Sequence, residues 1–450
     1  MLKKESLESL HKTTNSSDFS VIDQDKQDVS AFAIASYYHN CFQARDDPNF
    51  QKLFELLKSH KGEGLPHNTL CDELKAITPS NSYFSQTDSA YVASCLKRYS
   101  YGVPINVEKL AICKRRLVTY ERSLKEIIAI GVAKLVDRYR LAIDFNHPLF
   151  TNEIYSSWTK SANGRLNVDR EELKKLKLPL AQKIYQAKAF LRSKSLLNFK
   201  ASPEGVHYFY PLPFGAASGR DAPRGNAFIY FPKEIRDYIL QARAGYKIYI
   251  LDYVAQEIGA VAALAGDEEL WRAYENGDIY IEMRNRSPLF YTMNRKRFKL
   301  LCIAHLYGMT SFGIENNFQI PTQTAKKWYR ELRRIFFEVN EYLDVKVSLA
   351  IAAGYADVNG YRRSVASFSN KASIRNFFVQ ATCAQILQTL CLSLDQSKIP
   401  IVFAIHDAVA CEVPINDNGS YELTEKLMGD ASELILGSGY RLKVDCEYSK

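Results

Sequence analysis

Two β-branched, apolar runs that each end on an aspartate constrain this chain most. Tyr246-Lys247-Ile248-Tyr249-Ile250-Leu251 leads into Asp252, and Ile399-Pro400-Ile401-Val402-Phe403-Ala404-Ile405 leads into His406-Asp407. Runs of this kind, bounded here by Gly245 and Pro400, read as buried strands. A carboxylate where a buried strand ends must be paired, hydrogen-bonded or metal-bound, because an isolated buried charge is very costly. The two aspartates lie 155 positions apart, so only tertiary structure can bring them together, and such a pair suits a divalent-metal site. Taken singly, each also fits an ordinary aspartate in a strand-end turn.

The rest of the pattern mixes strands with long helices and lacks regular βα alternation, which predicts an α+β fold. Helices are expected over 179–198, 256–265, 267–276, 295–307, 322–352, 373–396 and 421–437, and strands over 226–231, 246–252, 400–406, 408–413 and 440–448. A single amphipathic helix is expected from about 102 to 141, with Leu110, Leu117, Leu124, Ile127, Ile128 and Val132 near one face. Residues 1–30 read as a polar tail, and 31–100 as short helices broken near Gly62–Pro66 and Pro79–Ser82. At 450 residues with 46% hydrophobic and 24% charged residues, the chain has the composition of a soluble multi-domain protein.

The net charge of +9 is modest, but basic residues cluster. Arg284, Arg286, Arg295, Lys296, Arg297 and Lys299 form one group. Lys114, Arg115, Arg116, Arg122, Lys125, Lys134, Arg138 and Arg140 form another. Each fits a solvated helix face, and each also suits phosphate contacts. Nine cysteines without C-x-x-C spacing point neither to zinc nor to a disulfide framework, and fit a reducing compartment. No secretory signal and no apolar stretch long enough for a bilayer are read from the sequence. The expectation is a cytoplasmic, monomeric protein.

Several segments together carry a family resemblance. Asp252-Tyr253, Gln256-Glu257, Ala262–Asp267 and Gly277-Asp278-Ile279-Tyr280 resemble motif A of family A DNA polymerases, the family of bacterial DNA polymerase I. Arg295-Lys296-Arg297-Phe298-Lys299 followed by Leu306-Tyr307-Gly308-Met309 resembles motif B, and Val402–Ala408 resembles motif C. Arg375–Ala381 and Ser218-Gly219-Arg220 are similar to two further segments of the family. All five stand in the family's order, over roughly residues 100–450, in wording nearest the phage- and plasmid-type branch.

The resemblance implies a right-hand polymerase with an antiparallel-sheet palm and helical fingers and thumb. It divides the chain into 1–100 (tail and short helices, without a recognisable exonuclease), 101–205 (thumb), 206–260 (palm with motif A), 261–352 (fingers with motif B) and 353–450 (palm with motif C). Asn163–Asp169 resembles the part leading from thumb back to palm. The activity implied is template-dependent addition of dNTPs to a primer on DNA by two-metal nucleotidyl transfer, with two Mg²⁺ ions, or Mn²⁺ in their place.

By the same resemblance Asp252, Asp407 and the Tyr253 carbonyl hold metal. Arg295 and Lys299 grip the triphosphate, Tyr307 stacks against the templating pair, and Glu257 excludes a ribose 2′-hydroxyl. Arg220, Asn376 and Gln380 read the primer–template through its minor groove and backbone, His406 touches the primer terminus, and Arg375 reads as a phosphate contact. Helical spacing independently puts Arg295, Lys299, Ile303 and Tyr307 on one broad face. Two positions depart from the family: Ala408 stands where an acid usually follows the motif C aspartate, and Ile303 where an aromatic ring is usual. The chain also stops soon after its last strand, which fits a fragment of a longer protein. Two rivals stand beside the polymerase: a single-subunit RNA polymerase, against which Glu257 argues, and an inactive primer–template-binding relative.

Overall fold

Tyr246–Tyr253 (β1) is the strand that the apolar run predicts, and it lies inside a four-stranded antiparallel sheet. Ile401–Ile405 (β2) and Ala408–Pro414 (β3) form a hairpin, and Val444–Ser449 (β4) closes the other side, in the order β4-β1-β3-β2. The structure, a computed structural model, describes residues 86–150, 158–159, 166–209, 211–223 and 226–449. The expected tail, the short helices before residue 86, the breaks at 62–66 and 79–82, and most of Asn163–Asp169 lie outside the described residues.

The chain divides into two units, one of residues 1–101, 210–224 and 245–450, the other of 102–209 and 225–244. In the first, successive side chains of β1 alternate between the two faces of the sheet. Tyr249 and Tyr253 face helix Ser420–Leu436, where their hydroxyls meet Thr424 Oγ1 at 2.9 Å and donate to the Met428 carbonyl at 2.8 Å. Ile248, Ile250 and Asp252 fall on the other face. Both faces are covered, which is why the strand reads as a nearly unbroken apolar run rather than an alternating one.

The helices that matter below are Gln86–Tyr101 (α1), Gln256–Ala265 (α2), Ile279–Asn285 (α3), Arg295–Leu306 (α4), Thr322–Ile335 (α5), Phe337–Ala353 (α6) and Lys371–Gln396 (α7). α7 corrects the sequence reading on membranes, since its length and apolar composition would span a bilayer. Most of that stretch is buried inside the protein as a core helix. The helix expected over 322–352 is two helices that break at Phe336. The Asn340 side-chain amide donates to the carbonyls of Phe336 (2.6 Å) and Arg333 (3.4 Å), which supplies donors to two carbonyls at the break.

In the second unit, helix Val107–Ala129 packs antiparallel on Pro179–Ser193. Ser123 donates to Gln186 at 2.6 Å, and Lys183 pairs with Glu126 at 2.9 Å. The expected helix to 141 therefore stops twelve residues early. Gly131 adopts φ +78, and the chain turns into a hairpin of Ala133–Leu135 with Leu141–Ile143. Asp137 holds the hairpin turn by accepting from the N–H groups of Tyr139 and Arg140, both at 2.8 Å, a local bond that competes with helix. Residues 226–231, expected as a strand, contain a single 3-10 turn at Phe228–Tyr230 instead, with Phe228 and Phe231 buried. Pro232 follows at once, and no strand pairs with this segment among the described residues.

Candidate active site

The β2–β3 hairpin turns in two residues, His406 and Asp407, and His406 takes a positive φ of +56. A non-glycine residue held there costs free energy, and such strain gathers at functional sites. Its effect is to deliver Asp407 to the end of β1. Ala408 pairs with Asp252 in register, and the Tyr253 N–H donates to the Asp407 carbonyl at 3.1 Å. The two aspartates of the sequence reading are thus brought together.

The Asp407 carboxyl is pushed above the usual carboxylate range by burial. A hydrogen bond shared with Asp252, and the charges of His406 and Arg220, partly offset that push. Two carboxylates in one partly buried place cannot both ionise without cost unless a cation joins them. The donor set consists of hard oxygens, which suits Mg²⁺. No group of three His, Cys, Asp or Glu side chains gathers here among the described residues, so most of a metal's shell would fall to waters and substrate.

β1 passes into α2 through Ala255, held at φ +47. This sharp entry sets Glu257 in the first turn, facing a polar network. Glu257 Oε1 accepts from the Tyr307 hydroxyl and from Arg220 Nη2, the latter at 3.2 Å, while Gln380 Nε2 donates to the Tyr307 hydroxyl at 3.3 Å. Burial and then Glu257 push the Tyr307 phenol up, so it stays a donor at working pH.

Arg220 is held from both sides. Gly219, at φ +77, accepts from Gln388 of α7 at 2.8 Å. Asp221 accepts from Tyr91 and Arg98 of α1 at 2.9 and 3.2 Å. Arg220 Nε and Asn376 Oδ1 are buried and make no hydrogen bond within the protein.

α4 turns Phe298, Leu301, Cys302 and His305 inward and leaves Arg295 and Lys299 exposed, with Ile303 and Tyr307 half-buried. The face drawn from four-residue spacing is therefore real. Both cations lie over the ring of buried Tyr280, at 5.3 and 5.4 Å from its centre, and Arg295 Nε donates to Asp278 Oδ2 at 2.5 Å. The Tyr280 hydroxyl also feels the charge of Glu257, so Arg295, Lys299 and Glu257 share one neighbourhood.

Sequence reasoning quoted Asp278 and Tyr280 within a motif but gave neither a role. The signal was there: an Asp that caps α3 through the N–H groups of Tyr280 and Ile281, with an aromatic two residues on. It also missed Arg98 and Asp221, for which no local pattern exists. One expectation is corrected outright. Arg375 is 6% exposed and bonded to protein groups, so it is not available to a phosphate. His406 is exposed at the mouth of the pair.

Residues 228–450 match the family model described as DNA polymerase family A. Among curated relatives, DNA polymerase I of Bacillus subtilis (strain 168) is 23% identical over 237 residues, covering 47% of this chain and 26% of the relative. DNA polymerase I of Streptococcus pneumoniae serotype 4 is 26% identical over 187 residues, covering 36% and 21%. The matched stretch thus spans about a quarter of these relatives' length. A solved structure, the POL domain of Pol1 from M. smegmatis in complex with DNA primer-template and dNTP, aligns over 93% of this chain and 80% of its own. Its TM-score is 0.64 at 19% identity, which shows the shared fold.

Proposed function

We propose that this chain, whose C-terminal half is a family A DNA polymerase segment, is a template-dependent DNA polymerase that extends a primer 3′-end with dNTPs. The observation that carries the reading is the meeting of Asp252 and Asp407 beside the Glu257–Tyr307–Arg220 network. In this reading Asp252 and Asp407, with the Tyr253 carbonyl, would hold two divalent ions. When bound, such ions stabilise the attacking and leaving oxygens of an in-line phosphoryl displacement.

The chain's own residues do the rest. Arg295 clamps the triphosphate as a fork and Lys299 as a point charge. Tyr280 lies beneath both cations and steers them. Glu257 meets the sugar and rejects a 2′-hydroxyl by steric clash, a form of discrimination against the wrong substrate. Tyr307 supports the templating pair. Arg220, Asn376 and Gln380 bond minor-groove acceptors, which are nearly alike for all base pairs and so suit an enzyme that copies any sequence.

Ala408, a small residue after the motif C aspartate, supports placement in the phage- and plasmid-type branch, while Ile303 bears on discrimination against dideoxy sugars. Ala408 leaves two carboxylates at the site, and this reading expects turnover without the auxiliary acid that usually follows the motif C aspartate in the family it resembles. Primer extension on a defined template, run with dNTPs and separately with rNTPs, tests the whole reading. Extension by dNTPs is expected. Preference for rNTPs would make the chain an RNA polymerase, and binding without extension would make it an inactive relative.

A further inference from the structure

Arg375 precedes Asn376 on α7, yet it points into the protein. Its Nε donates to the Leu306 carbonyl at 3.1 Å, Nη2 to Asn340 Oδ1 at 2.6 Å and Nη1 to Asp344 Oδ1 at 2.6 Å. Asn340 Oδ1 also lies 3.1 Å from His305 Nε2. Because that oxygen can only accept, Nε2 carries the proton. Asp344 Oδ2 accepts from Arg333 at 2.7 Å. One guanidinium therefore joins α4, α6 and α7, and through Asp344 also α5.

Leu306 is the last residue of α4. A cation at its carbonyl satisfies an acceptor that the helix leaves open and matches the negative end of the helix dipole. Two more contacts fasten the same end to α7. Gly308 sits at φ +87 so close to Ala372 that a Cβ would lie 2.8 Å from the Ala372 Cβ, and Gln380 reaches the Tyr307 hydroxyl. The other end of α4 is held differently. The Arg295–Asp278 pair is 46% and 31% exposed, and exposed pairs of this kind hold weakly.

We propose that Arg375 is a positioning residue that fixes the C-terminal end of α4, keeping Tyr307 against Glu257 while the Arg295 end is free to exchange Asp278 for an incoming triphosphate. The inference rests on the polymerase reading for its consequence, though the clamp itself is testable without it. Arg375 touches no substrate in this scheme and acts through the helix it holds.

The test compares the full chain with Arg375→Met, Arg375→Lys and Asp344→Asn in three measurements. These are the maximal rate of single-nucleotide incorporation, the primer–template Kd, and hydrogen exchange at the amides of Tyr307 and Met309, which bond to Ile303 and Ala304. Arg375→Met is expected to lower the rate about tenfold to a hundredfold, the cost of a misplacement on the order of 1 Å, with Kd within about twofold of wild type. Exchange at both amides should speed up. Arg375→Lys should fall between, since its donors sit on one nitrogen and cannot reach the separated acceptors that the guanidinium meets with three. Asp344→Asn, which removes one half-exposed partner, should move all readouts the same way by less and covers the case in which Arg375→Met does not fold. A variant that loses primer–template affinity with unchanged exchange and unchanged rate at saturating DNA would make Arg375 a DNA contact and overturn the proposal. If the wild type adds no nucleotide, the polymerase reading falls. The exchange experiment then decides alone: faster exchange in Arg375→Met upholds the clamp, and unchanged exchange overturns it.

Discussion

The two units differ most in charge. The unit of residues 102–209 and 225–244 carries 23 Lys and Arg against 12 Asp and Glu, a net charge of +11. The rest of the chain, although much longer, holds 36 against 38, a net charge of −2. The aspartate pair and its polar network lie wholly in this near-neutral part. The basic unit holds no comparable constellation among its described residues. Its Arg115, Arg116 and Arg122 stand exposed along helix Val107–Ala129, and Lys134, Arg138 and Arg140 on the following hairpin. The modest overall charge therefore hides an uneven distribution, with the aspartate pair in the near-neutral part and a positive field, of the kind that attracts polyanions at long range, around the basic unit.

The sharpest way to break that comparison is to disable the chemistry alone. Asp407→Asn should reduce nucleotide incorporation by about a thousandfold, on the scale of losing a key electrostatic element, and leave primer–template affinity near wild type. A comparable drop in affinity would tie the aspartates to DNA holding instead. A smaller effect is expected at Glu257. Replacing it with Ala should lower the dNTP-over-rNTP ratio of kcat/KM by roughly a hundredfold, equal to about 3 kcal/mol. Because Glu257 also bonds Tyr307 and Arg220, dNTP use should fall as well. An unchanged ratio would remove Glu257 from sugar selection.

The basic unit should respond in the opposite way. Arg115→Gln, Arg116→Gln and Arg122→Gln together should weaken primer–template binding and flatten its log–log salt dependence. The slope should change by up to about 0.9 for each DNA phosphate that an arginine no longer neutralises. The incorporation rate at saturating DNA should hold. A change in rate with an unchanged salt slope would erase the distinction between the units.

The smallest effect concerns acid stability. Burial, reinforced by Arg375 and Arg333, pulls the His305 imidazole down to about 3. Its folded value lies below the unfolded one, so its contribution is present above pH ~6.5 and is lost as pH falls toward 3, when the unfolded chain takes up a proton that the folded chain refuses. His305→Gln, which keeps a donor for Asn340, should flatten that arm of the stability–pH curve by up to about 1.4 kcal/mol per pH unit. An unchanged slope in denaturant titrations between pH 4 and 6 would show that His305 is protonated in the fold.

Local order was legible wherever a period or a stop signal dominates. β1, the β2–β3 hairpin and α4 follow from apolar runs and four-residue spacing, and Asp252, Asp407, Arg295 and Lys299 were found on them. The failures have particular causes. Gly131 and the Asp137 turn ended a helix that its apolar stripe would have continued. Phe228 to Phe231 look like a strand, but a strand needs a partner, and pairing is a long-range fact. Arg375 has the composition of a phosphate ligand, and only packing among α4, α6 and α7 turned it inward.

The sequence by itself determined which residues carry charge, which strands end in carboxylates, and which cations share a helical face, because these depend on residue type and on short periods of two and 3.6. Tertiary structure alone decided that Asp252 meets Asp407 across a strand pair and that Asp278 holds Arg295. It alone decided that Arg98 and Asp221 flank the loop of Arg220, and that Arg375 binds a helix end rather than a ligand. Each of these is a contact between distant segments, and its free energy depends on desolvation and on partners that no local stretch of chain contains.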